Sequence, residues 1–224
     1  MTTITPHEAS PPTGARFVAH DQPVVALKRR TIDSVLISFG AVLTAALVVA
    51  ASLLTWGSNF AKDYVHDELA SQNIKFPPAA ALTEEGRDDL VKYADQKVDT
   101  GKEAEAYASF INGHLAGIAD GKTYADLGGP QFAAQDAVTK AKADGASEAT
   151  IAELQAKVDA IKGQRTSLFT GETLRGLLLT TYAWDTVGRI AGYAAMAAFA
   201  AAAVMLVLVL LGLRHHHKVV VQTS

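Results

Sequence analysis

The stretch VLISFGAVLTAALVVAASLLTW occupies positions 35–56 and contains no charged residue in 22 positions. At 1.5 Å per residue, a helix of this length reaches about 33 Å, enough to cross a hydrocarbon core of roughly 30 Å. A second uncharged run, IAGYAAMAAFAAAAVMLVLVLLGL, occupies positions 190–213. The sequence therefore predicts two transmembrane helices, at residues 35–56 and 190–213.

A secretory signal peptide is the alternative interpretation of the first run. The apolar core of such a peptide is about 7–15 residues long, lies close to the N-terminus and is followed by a cleavage site. Here 34 residues precede a longer run. This favours a retained transmembrane helix, with cleavage at an alanine-rich site such as Ala50–Ala51 as the alternative.

Basic residues flank both runs on the side away from the intervening segment. They are Lys28, Arg29, Arg30, Arg214 and Lys218. Because Lys and Arg are enriched in cytoplasmic flanks, we expect two cytoplasmic tails, residues 1–34 and 214–224, at a plasma (inner) membrane crossed twice. Residues 57–189 then form an extracytoplasmic domain. They contain 14 Lys and Arg against 20 Asp and Glu, and a long acidic segment translocates readily.

The extracytoplasmic segment has the spacing of helices, so the predicted fold class is all-α. Large apolar residues recur at three and four positions between Tyr107 and Ile118. Thr100 and Glu103 fit a capping box at the start of that helix. Residues 60–73 are predicted to continue the first span out of the membrane until the Pro77–Pro78 pair ends the helix. Further helices are predicted at 84–97 with Thr83 as its cap, and from 172 into the second run. Residues 131–143 and 147–162 are predicted to form an antiparallel hairpin.

The sequence contains no pattern that carries catalysis or binds a metal or cofactor. There is no cysteine, the two runs contain no His, Asp, Glu, Lys or Arg to serve as an axial haem ligand or a proton relay, and no nucleophile or phosphate-binding motif is present. His66 and His114 lack metal-site spacing, and the acidic group Asp63, Asp67 and Glu68 fits a solvated face better than a cation site. The expectation is no enzyme, no cofactor and no metal. Mixed charge without interleaved aromatics also argues against nucleic acid.

Small residues and aromatics suggest how the spans pack and where they are anchored. Gly188, Gly192 and Ala195 lie on one face of the second helix, where small residues allow another helix to approach closely in lipid. That helix could be the first span or one from another subunit. Ala41 with Ala45, and Ala46 with Ala50, predict similar faces on the first span. Interface anchors are predicted at Trp56, Tyr182, Trp184, Arg214 and Lys218.

Two segments carry a family resemblance. Residues 93–128, YADQKVDTGKEAEAYASFINGHLAGIADGKTYADLG, and residues 174–197, LRGLLLTTYAWDTVGRIAGYAAMA, resemble a family of uncharacterised actinobacterial two-span membrane proteins over roughly residues 30 to 213. Some relatives carry the label of aromatic-ring dioxygenases, but this chain lacks the iron ligands such a name requires. The layout also resembles the small accessory subunits of the actinobacterial cytochrome bcc–oxidase respiratory supercomplex.

These observations lead to one principal expectation and two rivals. The principal one is a non-catalytic accessory or assembly subunit of a larger membrane complex, whose partners are membrane lipids and other integral membrane subunits, most plausibly of the respiratory oxidase or bcc type. The first rival is an outer-face sensor or ligand-binding module. The second is a membrane-anchored hydrolase, which predicts that mutation of His66 or His114 abolishes activity.

Overall fold

The computed structural model describes the backbone of residues 29–222 and the side chains of residues 31–215. Most of the predicted cytoplasmic tail 1–34, the side chain of Lys218 and the last two residues lie outside the described part. The α-helices are α1 (Arg29–Gln72), α2 (Ala79–Glu84), α3 (Gly101–Ala116), α4 (Gly128–Ala143) and α5 (Glu148–Gln222), with 3₁₀ turns at Asp88–Tyr93 and Ile118–Gly121. Residues 29–222 contain no β-strand, only an isolated bridge between Lys75 and Lys97, so the all-α class is confirmed.

Two long helices dominate the molecule. α1 has 44 residues and α5 has 75, which correspond to about 66 Å and about 112 Å. By length and composition both helices can cross a membrane. Only 17% and 11% of the residues in their most apolar windows are buried, so most of this apolar surface faces outward, unlike the surface of a core helix in a soluble protein.

α1 and α5 are antiparallel and keep one register along both apolar runs. The contacting pairs, from one end to the other, are Ile37 with Gly212, Gly40 with Val209, Ser58 with Gly192, and Ala61 with Gly188. The two residue numbers of each pair add to 249 or 250, so each step along α1 is matched, to within one residue, by a step back along α5. Residues 35–56 and 190–213 therefore lie side by side in one layer about 35 Å thick.

The seam between the two helices follows a heptad spacing. On α1 the least exposed positions alternate between intervals of three and four residues: Ile37, Gly40, Thr44, Leu47, Ala51, Leu54, Ser58, Ala61 and Val65. This is the repeat of a left-handed coiled coil. The coiled coil continues past the apolar layer into the intervening domain.

The core of the intervening domain lies where α1 ends and α3 packs on α5. Its central side chains come from all these elements and from the loop after α1: Val65, Leu69, Phe76, Leu82, Leu90, Val98, Phe110 and Leu178. The loop is held by backbone hydrogen bonds from Phe76 N–H to the Gln96 carbonyl (2.9 Å) and from Val98 N–H to the Ile74 carbonyl (3.0 Å). The predicted capping box is confirmed, since Thr100 and Glu103 bond reciprocally at the start of α3.

Two predicted boundaries are wrong. The helix predicted at 84–97 with Thr83 as its cap is instead the short helix α2 followed by a 3₁₀ turn, and Thr83 lies inside α2, which begins directly after Pro78. The segments predicted separately at 147–162 and from 172 belong to one unbroken helix, α5. No proline follows Pro130, and nothing else forces a break. The hairpin of α4 and α5 is confirmed, with Val138 and Val158 buried in its seam.

Candidate interaction surfaces

The residues predicted for helix packing lie in the seam between α1 and α5. A Cβ atom on Gly188 would stand 2.9 Å from the Ala61 Cβ, and one on Gly192 would stand 2.9 Å from the Ser58 Oγ. Ala195, on the same face, is 3% exposed. The chain's own first helix fills this face, so another subunit would have to pack elsewhere.

The small-residue faces predicted for the first span are wrong as contacts within the chain. Ala41, Ala45, Ala46 and Ala50 are all exposed. The seam uses other residues of α1, the heptad positions, where small and large side chains both occur. Pairs four apart are frequent by chance in an alanine-rich helix, whereas the heptad keeps one side of the helix against its partner over many turns.

Of the predicted interface anchors, Trp56 and Arg214 lie at the ends of the apolar layer, whereas Tyr182 and Trp184 lie beyond its outer end, eight and six residues before Ile190. Trp56 and Trp184 are 68% and 57% exposed, Tyr182 is half-buried and Arg214 is exposed. Trp56 also begins a column of stacked rings on α1. Its ring centroid is 5.7 Å from that of Phe60, which is 6.2 Å from that of Tyr64.

An apolar groove lies between α1 and α5 beyond the end of the apolar layer. Its volume is about 350 Å³, and its lining includes Tyr64, Leu69, Leu174, Leu177 and Trp184. Leu177 is 62% exposed and Tyr64 is 53% exposed. Large apolar side chains are therefore exposed together along this groove.

A second groove, of about 480 Å³, lies at the end of the apolar layer itself. Its upper rim carries Lys62, Asp185 and Arg189, and its lower wall carries Tyr193, Met196 and Phe199. Arg189 Nε lies 3.3 Å from the Asp185 carboxylate, and Arg189 Nη2 donates to the Thr186 hydroxyl at 3.0 Å. The groove is thus charged at one end and apolar at the other.

The histidines and acidic clusters are dispersed. His66 Nδ1 lies 3.2 Å from the Asp99 carbonyl oxygen, and His114 lies 3.2 Å from the Phe110 carbonyl oxygen and 3.5 Å from Glu85. Within the described part of the chain, no three His, Asp or Glu side chains come together in a way that could hold a metal ion. Asp63, Asp67 and Glu68 are exposed.

A tether that sequence reasoning missed joins the 3₁₀ turn to α3. Arg87 donates two hydrogen bonds to the Asp89 carboxylate, both at 2.9 Å, and two more to the carbonyl and hydroxyl of Ser109, at 2.8 and 2.9 Å. The hydrogen bond with Asp89 raises the pKa of Arg87, and the same bond lowers the pKa of Asp89. Arg87 therefore positions the turn against α3.

A second arginine does the same at the far end of the domain. Arg165 on α5 lies over the Tyr124 ring, 4.0 Å from its centroid, and donates to the Gln131 side chain at 2.6 Å. It joins α5 both to the loop before α4 and to α4. Neither tether has a local sequence signal, because the partners that the two arginines reach on other elements lie 22 to 41 positions away.

Comparisons with protein-family models, with curated proteins and with solved structures find no match for this chain. The family resemblance of residues 93–128 and 174–197 therefore stays a prediction.

Proposed function

We propose that this protein is a non-catalytic accessory or assembly subunit of a larger complex in the plasma membrane. Both spans cross the bilayer, both termini are cytoplasmic, and residues 57–189 lie outside. The matched register of α1 and α5 supports two spans in one layer, and a cleaved first helix would leave the α5 seam uncovered. The flanking basic residues support the orientation.

The apolar groove above the spans carries this proposal. Counted along α5 from Ile190, Trp184 stands about 9 Å and Leu177 about 20 Å beyond the hydrocarbon boundary. The headgroup layer adds only about 5–8 Å on each side of the hydrocarbon. Lipid therefore does not reach the upper part of the groove, and a protein partner would cover the exposed Leu177 there.

The most plausible partner is a subunit of a respiratory complex of the cytochrome bcc–oxidase type. The supporting observation is the layout, two spans around a helical domain, which resembles the small accessory subunits of that supercomplex. In such a role the protein wedges between larger subunits through its exposed outer surface and supplies no cofactor.

A purification in mild detergent tests the proposal. The tagged full chain should co-purify with other integral membrane subunits, identified by mass spectrometry. Leu177→Glu should remove them, because it places a charge in the groove. Phe132→Glu is the matched control: Phe132 is 67% exposed but lies on α4, outside the groove. A wild-type chain that runs only as a free monomer would contradict the proposal.

The rival function, a ligand-binding module, is favoured by one observation. A volume of about 350 Å³ falls at the lower end of the range for small-molecule sites, about 300–1,000 Å³. The same purification separates the two functions. A binding module would carry a small apolar molecule on the monomer, and Leu177→Glu would release that molecule instead of a subunit.

A further inference from the structure

The groove at the end of the apolar layer has the shape and charge of a phospholipid site. It lies where the register of α1 and α5 places the boundary between hydrocarbon and headgroups, near Trp56 on one helix and Ile190 on the other. Its volume of about 480 Å³ accommodates a headgroup and the upper part of an acyl chain. Groups on both helices reach it.

The upper rim carries the charges that a phosphate requires. Lys62 is exposed on α1 beside Ala61, the residue that faces Gly188, which puts it about 5 Å beyond the level of Ile190. Arg189 lies across the groove on α5. Asp185 offsets one of these two positive charges through its contact with Arg189. The rim has a net charge of +1, which matches one phosphodiester.

Neutral polar groups complete the rim. Asn59 and Thr55 line it, and Ser58 is 2% exposed beside them. Thr44, Ser52 and Thr55 each donate to the carbonyl four residues earlier in α1. In the described chain the Ser58 hydroxyl makes no bond of that kind, and it borders the groove.

The lower wall is apolar and about one leaflet deep. Tyr193, Met196 and Phe199 follow one another at intervals of three residues and are 66%, 60% and 43% exposed. Phe199 lies about 14 Å along the helix from Ile190, close to half of a hydrocarbon core of roughly 30 Å. An acyl chain that extends from a phosphate on the rim would lie along this wall.

We infer that this groove binds one anionic phospholipid of the outer leaflet, with its phosphate at Lys62 and Arg189 and one acyl chain along Met196 and Phe199. The inference uses the proposed orientation in the membrane. It does not depend on the identity of any partner subunit, so its failure would leave the accessory-subunit proposal standing.

Native mass spectrometry of the full chain in detergent tests the inference. The delipidated protein is titrated with phosphatidylglycerol and with phosphatidylcholine that has the same acyl chains. The wild type should retain phosphatidylglycerol in preference to phosphatidylcholine, one molecule per chain. Lys62→Gln should lower that retention about threefold, from the loss of one exposed charge contact. Lys140→Gln, an exposed lysine on α4, should leave it unchanged.

A change in the opposite direction guards against a folding artefact. Asp185→Asn removes the offsetting carboxylate with almost no change in shape and should raise phosphatidylglycerol retention. The inference would be overturned if the wild type retained both lipids equally. It would also be overturned if Lys62→Gln, or Asp185→Asn, left the retention of phosphatidylglycerol unchanged. Retention of sn-glycerol 3-phosphate as strong as that of the lipid would overturn it too, by assigning a free phosphate ester to the groove.

Discussion

The coiled coil of α1 and α5 packs differently on the two sides of one boundary. From the apolar layer to Ala61 small residues recur in the seam, at Gly40, Ala51, Ser58 and Ala61. At the outer edge of the layer the two glycines Gly188 and Gly192 are pressed against Ala61 and Ser58. A few residues farther along α1, the seam widens into a core of large side chains such as Val65 and Leu69.

In the proposed membrane orientation, the change in packing follows the change in solvent. In lipid there is no hydrophobic gain from burying a large apolar side chain, so helices associate through close contact of small residues. In water that gain is about 25 cal/mol per Å² of apolar surface, so large side chains gather in a core. The same pair of helices therefore depends on shape in one part and on burial in the other.

The largest difference in the free energy of unfolding is expected between alanine substitutions of two phenylalanines, Phe76 and Phe39. Phe76 is 2% exposed in the intervening domain, and its ring centroid is 5.2 Å from those of both Tyr93 and Tyr107. Phe76→Ala should lower the free energy of unfolding by about 3–5 kcal/mol. Phe39→Ala is the control, since Phe39 is 66% exposed on the lipid-facing side of α1, and it should change that energy by less than about 1 kcal/mol. Denaturant titration of the full chain in micelles measures both.

A smaller effect is expected at two glycines of α5. Gly188→Ala adds a methyl group 2.9 Å from the Ala61 Cβ, and overpacking of this kind costs about 1–3 kcal/mol. Gly176→Ala makes the same change where a Cβ meets nothing within 4 Å, and it should stabilise the helix by up to about 1 kcal/mol. If the two substitutions changed the denaturant unfolding curve of the protein in micelles equally, the seam would not depend on close packing at Gly188.

The smallest effect concerns pH in the intervening domain. The hydrogen bond from Arg87 holds the pKa of Asp89 below its ordinary value of 3.8. Because the folded-state pKa is lowered, the contact stabilises the fold above about pH 3.8 and is lost as the pH falls through the lowered pKa. Asp89→Asn should therefore flatten the fall of the unfolding midpoint below that pH. If the unfolding midpoint of the wild type and that of the variant changed identically with pH, the contact between Arg87 and Asp89 would not contribute to the stability of the fold.

Much of the fold could be predicted because its signals are local. The two uncharged runs, the capping box of Thr100 and Glu103, and the glycine turn between α4 and α5 are each read within a few residues. The continuity of α5 was missed between positions 162 and 172, although the absence of a proline there was a usable signal. Thr83 was misassigned because the proline pair Pro77–Pro78 starts α2 earlier than the acidic residues suggested.

Less of the candidate surfaces could be predicted. The tethers of Arg87 and Arg165 depend on partners distant in sequence, which no local pattern encodes. The two grooves exist only because α1 and α5 are in one register. The alanine pairs predicted for the first span do not reveal the heptad that sets this register. In the sequence, this heptad consists of two series of residues seven positions apart, one from Ile37 to Val65 and one from Gly40 to Ala61.

Cysteine accessibility tests the central claim most directly, because the chain has no cysteine and single ones can be introduced at will. The three positions are Thr31→Cys before the first span, Ala45→Cys on its exposed side, and Ser147→Cys at the turn between α4 and α5. A membrane-impermeant maleimide added to intact cells should label only Ser147→Cys, with Thr31→Cys labelled after permeabilisation and Ala45→Cys labelled in neither case. Labelling of Thr31→Cys and Ser147→Cys from the same side, or of Ala45→Cys in intact cells, would contradict the account.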